Sequence, residues 1–300
     1  MTGAILLALG AAVLLGSSDF LGGLLSRRAP LMVVLLGSHL VVAALLTLLL
    51  LVEPYQPAAT TAVAAGAVSG IATAIATAAL FRGLAIGTMG VVAPISALAV
   101  IVPVSVGLVQ GDAVNGMLGI GLALAIVGTV LASGPELRAG GRGARSLLLG
   151  GTAALGFGTS QAAIGLGSAE SVTTTVLTNT ATVLGIFIVA FSAWVHVRLR
   201  TAAARLHAGQ TVSPPLLIER LTGRTVAGIV LAGILIATAS LSFAIATTGG
   251  ALSTVAVLAA LYPVVTVLLA RRVLSERVRP AQLVGIVLAL AGVGLIAAGG

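Results

Sequence analysis

The 300-residue chain has no cysteine, no lysine and little charge of either sign. Without cysteine it can form no disulfide, thiolate nucleophile or cysteine-ligated metal site. Its three histidines, His39, His196 and His207, have no metal-ligand spacing, and neither a metal nor a cofactor is expected. Charged residues make up 7% of the chain, against roughly 25% in a soluble domain. The polar groups that would cover a soluble surface are therefore missing. Aromatic residues are only 3%. All fifteen basic residues are arginine, and they flank apolar stretches instead of clustering on one face. That placement argues against nucleic-acid binding.

The chain is rich in apolar and small residues: 59% are hydrophobic and 39 are glycine. Nothing charged lies between Asp112 and Glu136, Arg145 and Glu170, or Arg224 and Arg271. A run of about 18 apolar residues spans a bilayer as a helix, and the last stretch has room for two crossings. High glycine content is common in membrane helices, where small residues let backbones approach. The fold class is therefore an all-α integral membrane protein. Ten spans are expected, at 3–25, 30–51, 60–81, 85–108, 115–133, 146–167, 172–195, 225–246, 251–270 and 281–299. Met1–Leu25 lacks a basic leader and reads as a retained helix, not a signal peptide. The segment from 197 to 224, with Arg198, Arg200, Arg205 and Pro214–Pro215, reads as a long polar loop. Its first half also fits a short interfacial helix.

The arginines test this count. Numbering the connections from one to nine, Arg27, Arg28, Arg82, Arg138, Arg142, Arg145, Arg198, Arg200, Arg205, Arg220, Arg224, Arg271, Arg272, Arg277 and Arg279 all fall in odd ones. The positive-inside rule places odd loops in the cytoplasm and both termini outside.

The two halves resemble each other. LLGSSDFLG at 14–22 aligns with GFGTSQAAI at 156–164, pairing Asp19 with Gln161. Ser38–His39 in the second span aligns with Thr178–Asn179 in the seventh, and Pro103 with Pro263. Gly121 and Gly128 align with Gly285 and Gly292. The expected organisation is a first five-helix repeat over 1–135, a linker at 136–145 and a second repeat over 146–300. Because five is odd, adjacent copies enter the membrane inverted. Inverted repeats are a carrier solution in which a central site opens alternately to each side.

The chain resembles the EamA-like families of the drug/metabolite transporter superfamily. The likeness rests on the doubled five-helix unit, on LLGSSDFLGGLLSRR near the start, and on YPVVTVLLARRVLSERVRPAQLVGIVLALAGVGLIAAG at 262–299. In that last pattern Pro263, Glu276, Gly285 and Gly292 match the family's proline, acidic residue and glycine-rich final helix. The first copy has Asp112 in place of Glu, closer to its proline. The resemblance implies a secondary carrier of small metabolites in the cell membrane, multi-pass and often proton-coupled. It also implies both termini in the cytoplasm, opposite to the arginine placement.

Asp19 is the most informative residue. It lies inside the first span, about 9 Å from the arginine end. A carboxylate there is costly unless paired, hydrated or protonated, which suits a proton carrier. A local pair with Arg27 or Arg28 is the plainer alternative. His39, mid-span, is a candidate for binding or coupling, or for a structural interhelical hydrogen bond. Gln161 and Asn179 are neutral candidates in the second half. Ser18, Ser38, Ser160 and Thr178 serve either a polar ligand or their own backbone. Tyr262 is a possible substrate contact, and Trp194 an interfacial anchor. Pro94, Pro103 and Pro263 fall inside spans and are expected to kink or gate them.

The expected function is a proton-coupled exporter or exchanger of a small polar or amphipathic metabolite, with protons and membrane lipids as its other partners. A monomer is sufficient and a homodimer is compatible. A strongly cationic substrate is mildly disfavoured by the scarcity of aromatics and intramembrane charge. An importer of the same fold, a noncatalytic membrane scaffold and an enzyme acting on lipid-linked substrates are the alternatives. The enzyme fares worst, since six of the seven acidic residues lie at or near loops.

Overall fold

A computed structural model describes residues 2–50, 60–86, 92, 95–112, 115–132, 143–207, 221–274 and 280–299. Among these the regular structure is helical: α1 (Thr2–Ser26), α2 (Leu31–Leu50), α3 (Thr60–Ile86), a 3-10 turn (Ala97–Val100) leading into α4 (Ile101–Val109), and α5 (Gly116–Ala132). There follow α6 (Gly143–Ser168), α7 (Val172–His207), α8 (Gly223–Gly249), α9 (Leu252–Ala259), α10 (Tyr262–Leu274) and α11 (Pro280–Gly299). Six of them, α1, α2, α3, α6, α7 and α8, are long and apolar enough to cross a bilayer. Four shorter apolar helical stretches lie at 98–109, 116–131, 252–266 and 283–296.

The distribution of side chains is that of a body immersed in lipid. Leu6, Val13, Leu148, Leu155, Val189 and Val287 are more than half exposed. The buried face of α1 is instead Ala4, Ala8, Ala11, Ala12, Gly16, Ser18, Gly22, Gly23 and Leu25. Lipid chains are as apolar as leucine, so bulky side chains gain nothing by leaving them. Small residues draw helix backbones together and gain dispersion contacts.

The helix pairings come in reciprocal sets. α5 against α11 and α3 against α6 are the most extensive. The packing of α1 on α8 answers that of α6 on α3, and α2 on α8 answers α7 on α3. α1 also packs on α10, as α6 does on the 3-10 turn and α4. Glycine contacts fix the register of these sets. Gly16 lies against the Tyr262 carbonyl and Val265, and Gly158 against the Ala99 carbonyl and Val102. Gly70 meets the Asn179 carbonyl and Thr182, and Gly233 meets the Ser38 carbonyl and Val41. Gly128 packs on Gly285 and Ala289 as Gly292 packs on Gly121 and Ala125.

This register differs from the sequence alignment in two places. Ser38 is the counterpart of Asn179, not of Thr178, so His39 corresponds to Thr180. Pro103 and Pro263 are not equivalent positions. A shift of one or a few residues in an Ala/Val/Leu helix leaves its composition nearly unchanged, whereas a backbone seated on a glycine fixes the alignment.

Two further expectations change. The loop predicted over 197–224 begins as helix, because α7 continues unbroken to His207. Arginine and alanine in RLRTAAARLH are good helix formers, and the helix runs on past its apolar part. The Arg198 guanidinium lies 5.3 Å from the centre of the Trp194 ring, as befits a membrane-surface pair. The predicted ninth span is also broken. Leu261 N–H bonds back to the Leu258 carbonyl, and α10 restarts at Tyr262. Pro263 therefore sits in a first turn, where no backbone donor is needed. Pro103 occupies the same kind of place, the first turn of α4. Each proline follows an irregularity in its helical stretch, the 3-10 turn at Ala97–Val100 for Pro103 and the break after Ala259 for Pro263. Pro94 and most of the linker lie outside the described residues.

α4 ends in a Schellman turn. Asp112 N–H bonds to the Gly107 carbonyl and Gly111 N–H to that of Leu108, with Gly111 at φ 94°. Only glycine takes that left-handed position without strain. The turn aims Asp112 at α9, where its carboxylate accepts the Ser253 N–H at 2.9 Å. A negative group there satisfies an otherwise unpaired donor and favours the helix dipole.

Candidate functional site

The first three helices of each reciprocal set, α1–α3 and α6–α8, surround a central cavity of about 90 Å³, room for several waters. α1 contributes Leu15, Ser18 and Asp19, and α6 contributes Phe157, Ser160 and Gln161. These are counterparts in the register set by Gly16 and Gly158. His39 from α2 is answered by Thr180 from α7, and Thr77 from α3 by Ser240 from α8. Phe81 and Phe243 close opposite ends. Phe81 belongs to the apolar cluster with Leu25, Leu35 and Leu84, and Phe243 to the cluster with Ala4, Leu46 and Val255.

Asp19 faces the cavity and, among the described residues, has no hydrogen bond and no paired cation. The alternative pair with Arg27 or Arg28 does not form, since both arginines are exposed at the helix end. Gln161 holds the reciprocal place, and its Oε1 is buried without a partner. On α2, the His39 Nδ1 lies 2.9 Å from the Leu35 carbonyl. A carbonyl only accepts, so Nδ1 carries the hydrogen and a neutral ring keeps Nε2 as an acceptor. The ring also stands edge-on to Phe187 at 4.9 Å. Its hydrogen bond stays within its own helix and is not an interhelical tie.

A polar knot joins α3 of the first half to α6 and α7 of the second, and the reciprocal place where α8 meets α1 and α2 has none among the described residues. Ser160 Oγ lies 2.8 Å from Ser69 Oγ and 2.7 Å from Thr73 Oγ1. Asn179 Nδ2 donates to Ser69 Oγ at 2.7 Å. Three helices, α3, α6 and α7, are joined through four side chains. By contrast Ser18 donates to the Leu15 carbonyl, in its own helix.

Asp19, His39, Gln161, Asn179, Ser18 and Ser160 thus come together around one cavity. Ser38, Thr178 and Tyr262 do not line it. Ser38 is satisfied by the Val34 carbonyl, Thr178 packs against Gly66, and the Tyr262 hydroxyl donates to the Ser96 carbonyl at 3.3 Å. The sequence reading missed Thr73, Thr77, Phe81, Phe157, Thr180, Ser240 and Phe243. One signal was present: Ser69, Thr73 and Thr77 recur every fourth residue, a polar stripe on one face of α3. Among the described residues no three His, Asp or Glu side chains gather as metal ligands would.

The family model of the EamA-like transporter family matches residues 144–298. The chain belongs to the EamA-like transporter family. It is thereby a membrane transporter of the drug/metabolite type, and its apolar helices fit a multi-pass membrane protein. No curated protein matches the sequence. One solved crystal structure, 15% identical, covers 98% of this chain and 96% of its own with a TM-score of 0.70. At that identity the likeness is one of fold alone. In this EamA-like protein the matched stretch supplies Gln161 and Asn179, while Asp19 and His39 lie outside it.

Proposed function

We propose that the protein is a secondary carrier of small organic metabolites, working as a proton-coupled exporter or exchanger. The observation that carries this reading is Asp19, a carboxylate without a cation partner in a cavity enclosed by helices from both halves. A group so placed is stabilised by taking up a proton or a substrate, and neither has to compete with a resident ion pair. The reciprocal helix pairings support ten spans in two inverted five-helix repeats, with the four shorter helical stretches completing the count. In such an architecture a central site is reached from alternate sides as one half rocks against the other.

The decisive experiment uses purified protein in proteoliposomes with an imposed pH gradient and a panel of labelled metabolites. Gradient-driven flux in the native protein and its loss in Asp19→Asn are expected. Undiminished pH-driven flux in Asp19→Asn sinks the proton role of this carboxylate.

The arginine placement supports odd loops in the cytoplasm and both termini outside, in a plasma membrane. Single cysteines introduced into loops two and seven of this naturally cysteine-free chain test that orientation. Labelling of loop two from outside intact cells, with loop seven protected, is expected. The reverse pattern restores the orientation that the family resemblance implies.

A further inference from the structure

Resting on the carrier reading, the cavity end behind Phe243 has to part for substrate to pass. We infer that Asp112 is a positioning residue for transport. Its carboxylate latches the α4–α5 turn of the first half to the α9 N-terminus of the second, and holds the Phe243 end closed until it lets go.

Phe243 belongs to one apolar cluster with Ala4, Leu46, Leu118, Ile164 and Val255. These residues gather the start of α1 and the ends of α2, α5, α6, α8 and α9 that meet the even-numbered connections. All fifteen arginines lie in odd connections, so the charged residues of the even ones are acids: Glu53, Asp112 and Glu170. Glu53 lies outside the described residues. The other two each take a donor from the opposite half. Asp112 accepts the Ser253 N–H at 2.9 Å, and Glu170 accepts the Thr61 hydroxyl.

The Asp112 contact is built from both sides. α9 brings no cap of its own: its N-cap residue is Ala251, and no side-chain cap bond forms there. By contrast α8 is capped by its own Thr222. The first N–H groups of a helix have no partner inside it, so α9 draws on a carboxylate from the other half. α4 makes room for that carboxylate. A Cβ at Gly107 would meet both the Asp112 side chain and the Ser253 nitrogen. Ser253 is itself buried, two residues from Val255 in the Phe243 cluster. The latch and the closed end are therefore parts of one contact. Opening this face strips α9 of its cap, which weights the carrier toward closure here. Thr61 and Glu170 are exposed, so water replaces their bond readily and Asp112 carries most of the hold.

The test uses the full, naturally cysteine-free chain with one reporter, Ser240→Cys, in the cavity three residues before Phe243. A membrane-impermeant maleimide is applied to intact cells and to inside-out vesicles. A separate single-cysteine protein, Gln110→Cys, exposed at the end of α4, shows which preparation presents the even connections. Asp112→Ala is expected to raise labelling of the cavity cysteine from that face by about threefold or more, and not from the opposite face. Gly107→Ala, which displaces the carboxylate without removing its charge, is expected to act in the same direction. Asp112→Asn keeps an acceptor oxygen and is expected to stay within about twofold of the native rate. A rise from both faces reports general loosening and overturns the latch. Unchanged labelling in Asp112→Ala overturns it too, as does an Asp112→Asn rate equal to that of a raised Asp112→Ala. The carrier reading fails separately, by absence of flux for every metabolite in proteoliposomes, and the sidedness of labelling still decides the latch.

Discussion

The two halves build the same wall from different chemistry. Helix α1 brings Ser18 and Asp19 to the cavity, and its counterpart α6 brings Ser160 and Gln161. In the first half the hydroxyl is spent on its own backbone and the carboxylate stands free. Across the cavity Ser160 and Asn179 each bond to α3, tying α6 and α7 to it, and the place of the titratable group is taken by the Gln161 amide. Asp19 is a group whose charge can change, while the hydrogen-bonded brace that joins α3 to α6 and α7 carries no charge.

The largest expected effect breaks this comparison at its charged member. Asp19→Asn is expected to reduce pH-gradient-driven flux to background, whereas Gln161→Ala lowers flux and keeps its dependence on the gradient. Proteoliposome assays at matched protein load distinguish the two. Equal loss of coupling in both variants makes the cavity symmetric in function.

The seam between α5 and α11 tests the reciprocal packing. Gly128→Val sets a branched side chain against the Ala289 and Gly285 backbones. It is expected to lower thermal stability by about 1–3 kcal/mol or more, since the clash is with main chain. Gly294, with open space around it, tolerates Ala with no loss. A melting temperature unchanged in Gly128→Val refutes the contact.

The brace is tested by contrasting hydroxyls. Ser160→Ala takes a partner from both Ser69 and Thr73 and is expected to destabilise by about 1–3 kcal/mol in thermal unfolding. Ser18→Ala removes only a bond to its own helix and costs about 1 kcal/mol or less. A similarly small effect is expected at the α4–α9 turn. Asp112→Ala removes the carboxylate that holds the α9 N-terminus, for about 0.5–2 kcal/mol. Hydrogen exchange at Ser253 should speed up in that variant while α2 is unaffected.

Much of this organisation was legible in the sequence, for reasons specific to membranes. Arg27, Arg82, Arg145 and Arg271 mark helix ends because a guanidinium in hydrocarbon is costly. Asp19 stood out as a carboxylate inside an apolar run, and Gln161 followed from the similarity of LLGSSDFLG to GFGTSQAAI. The polar stripe of α3 was harder to see. Ser69, Thr73 and Thr77 are uncharged, and hydroxyls in membrane helices often serve only their own backbone, as Ser38 does. Thr180 was overlooked because the α2–α7 alignment was displaced by one residue in a stretch of small and branched residues. The break between α9 and α10 was hidden for a similar reason. Leu258–Tyr262 is apolar throughout, and hydropathy cannot register a missing backbone bond.

The amino-acid sequence by itself determined the medium, the family and the placement of the one carboxylate inside the spans, because hydrophobic length and charge exclusion act residue by residue. Which side chains meet was decided only by the tertiary structure. Small-residue packing sets helix register through contacts between distant segments, such as Gly16 on Tyr262 and Gly158 on Ala99. Those contacts turn separate polar residues into one wall, with Asp19, His39 and Gln161 around a cavity and three phenylalanines beside them.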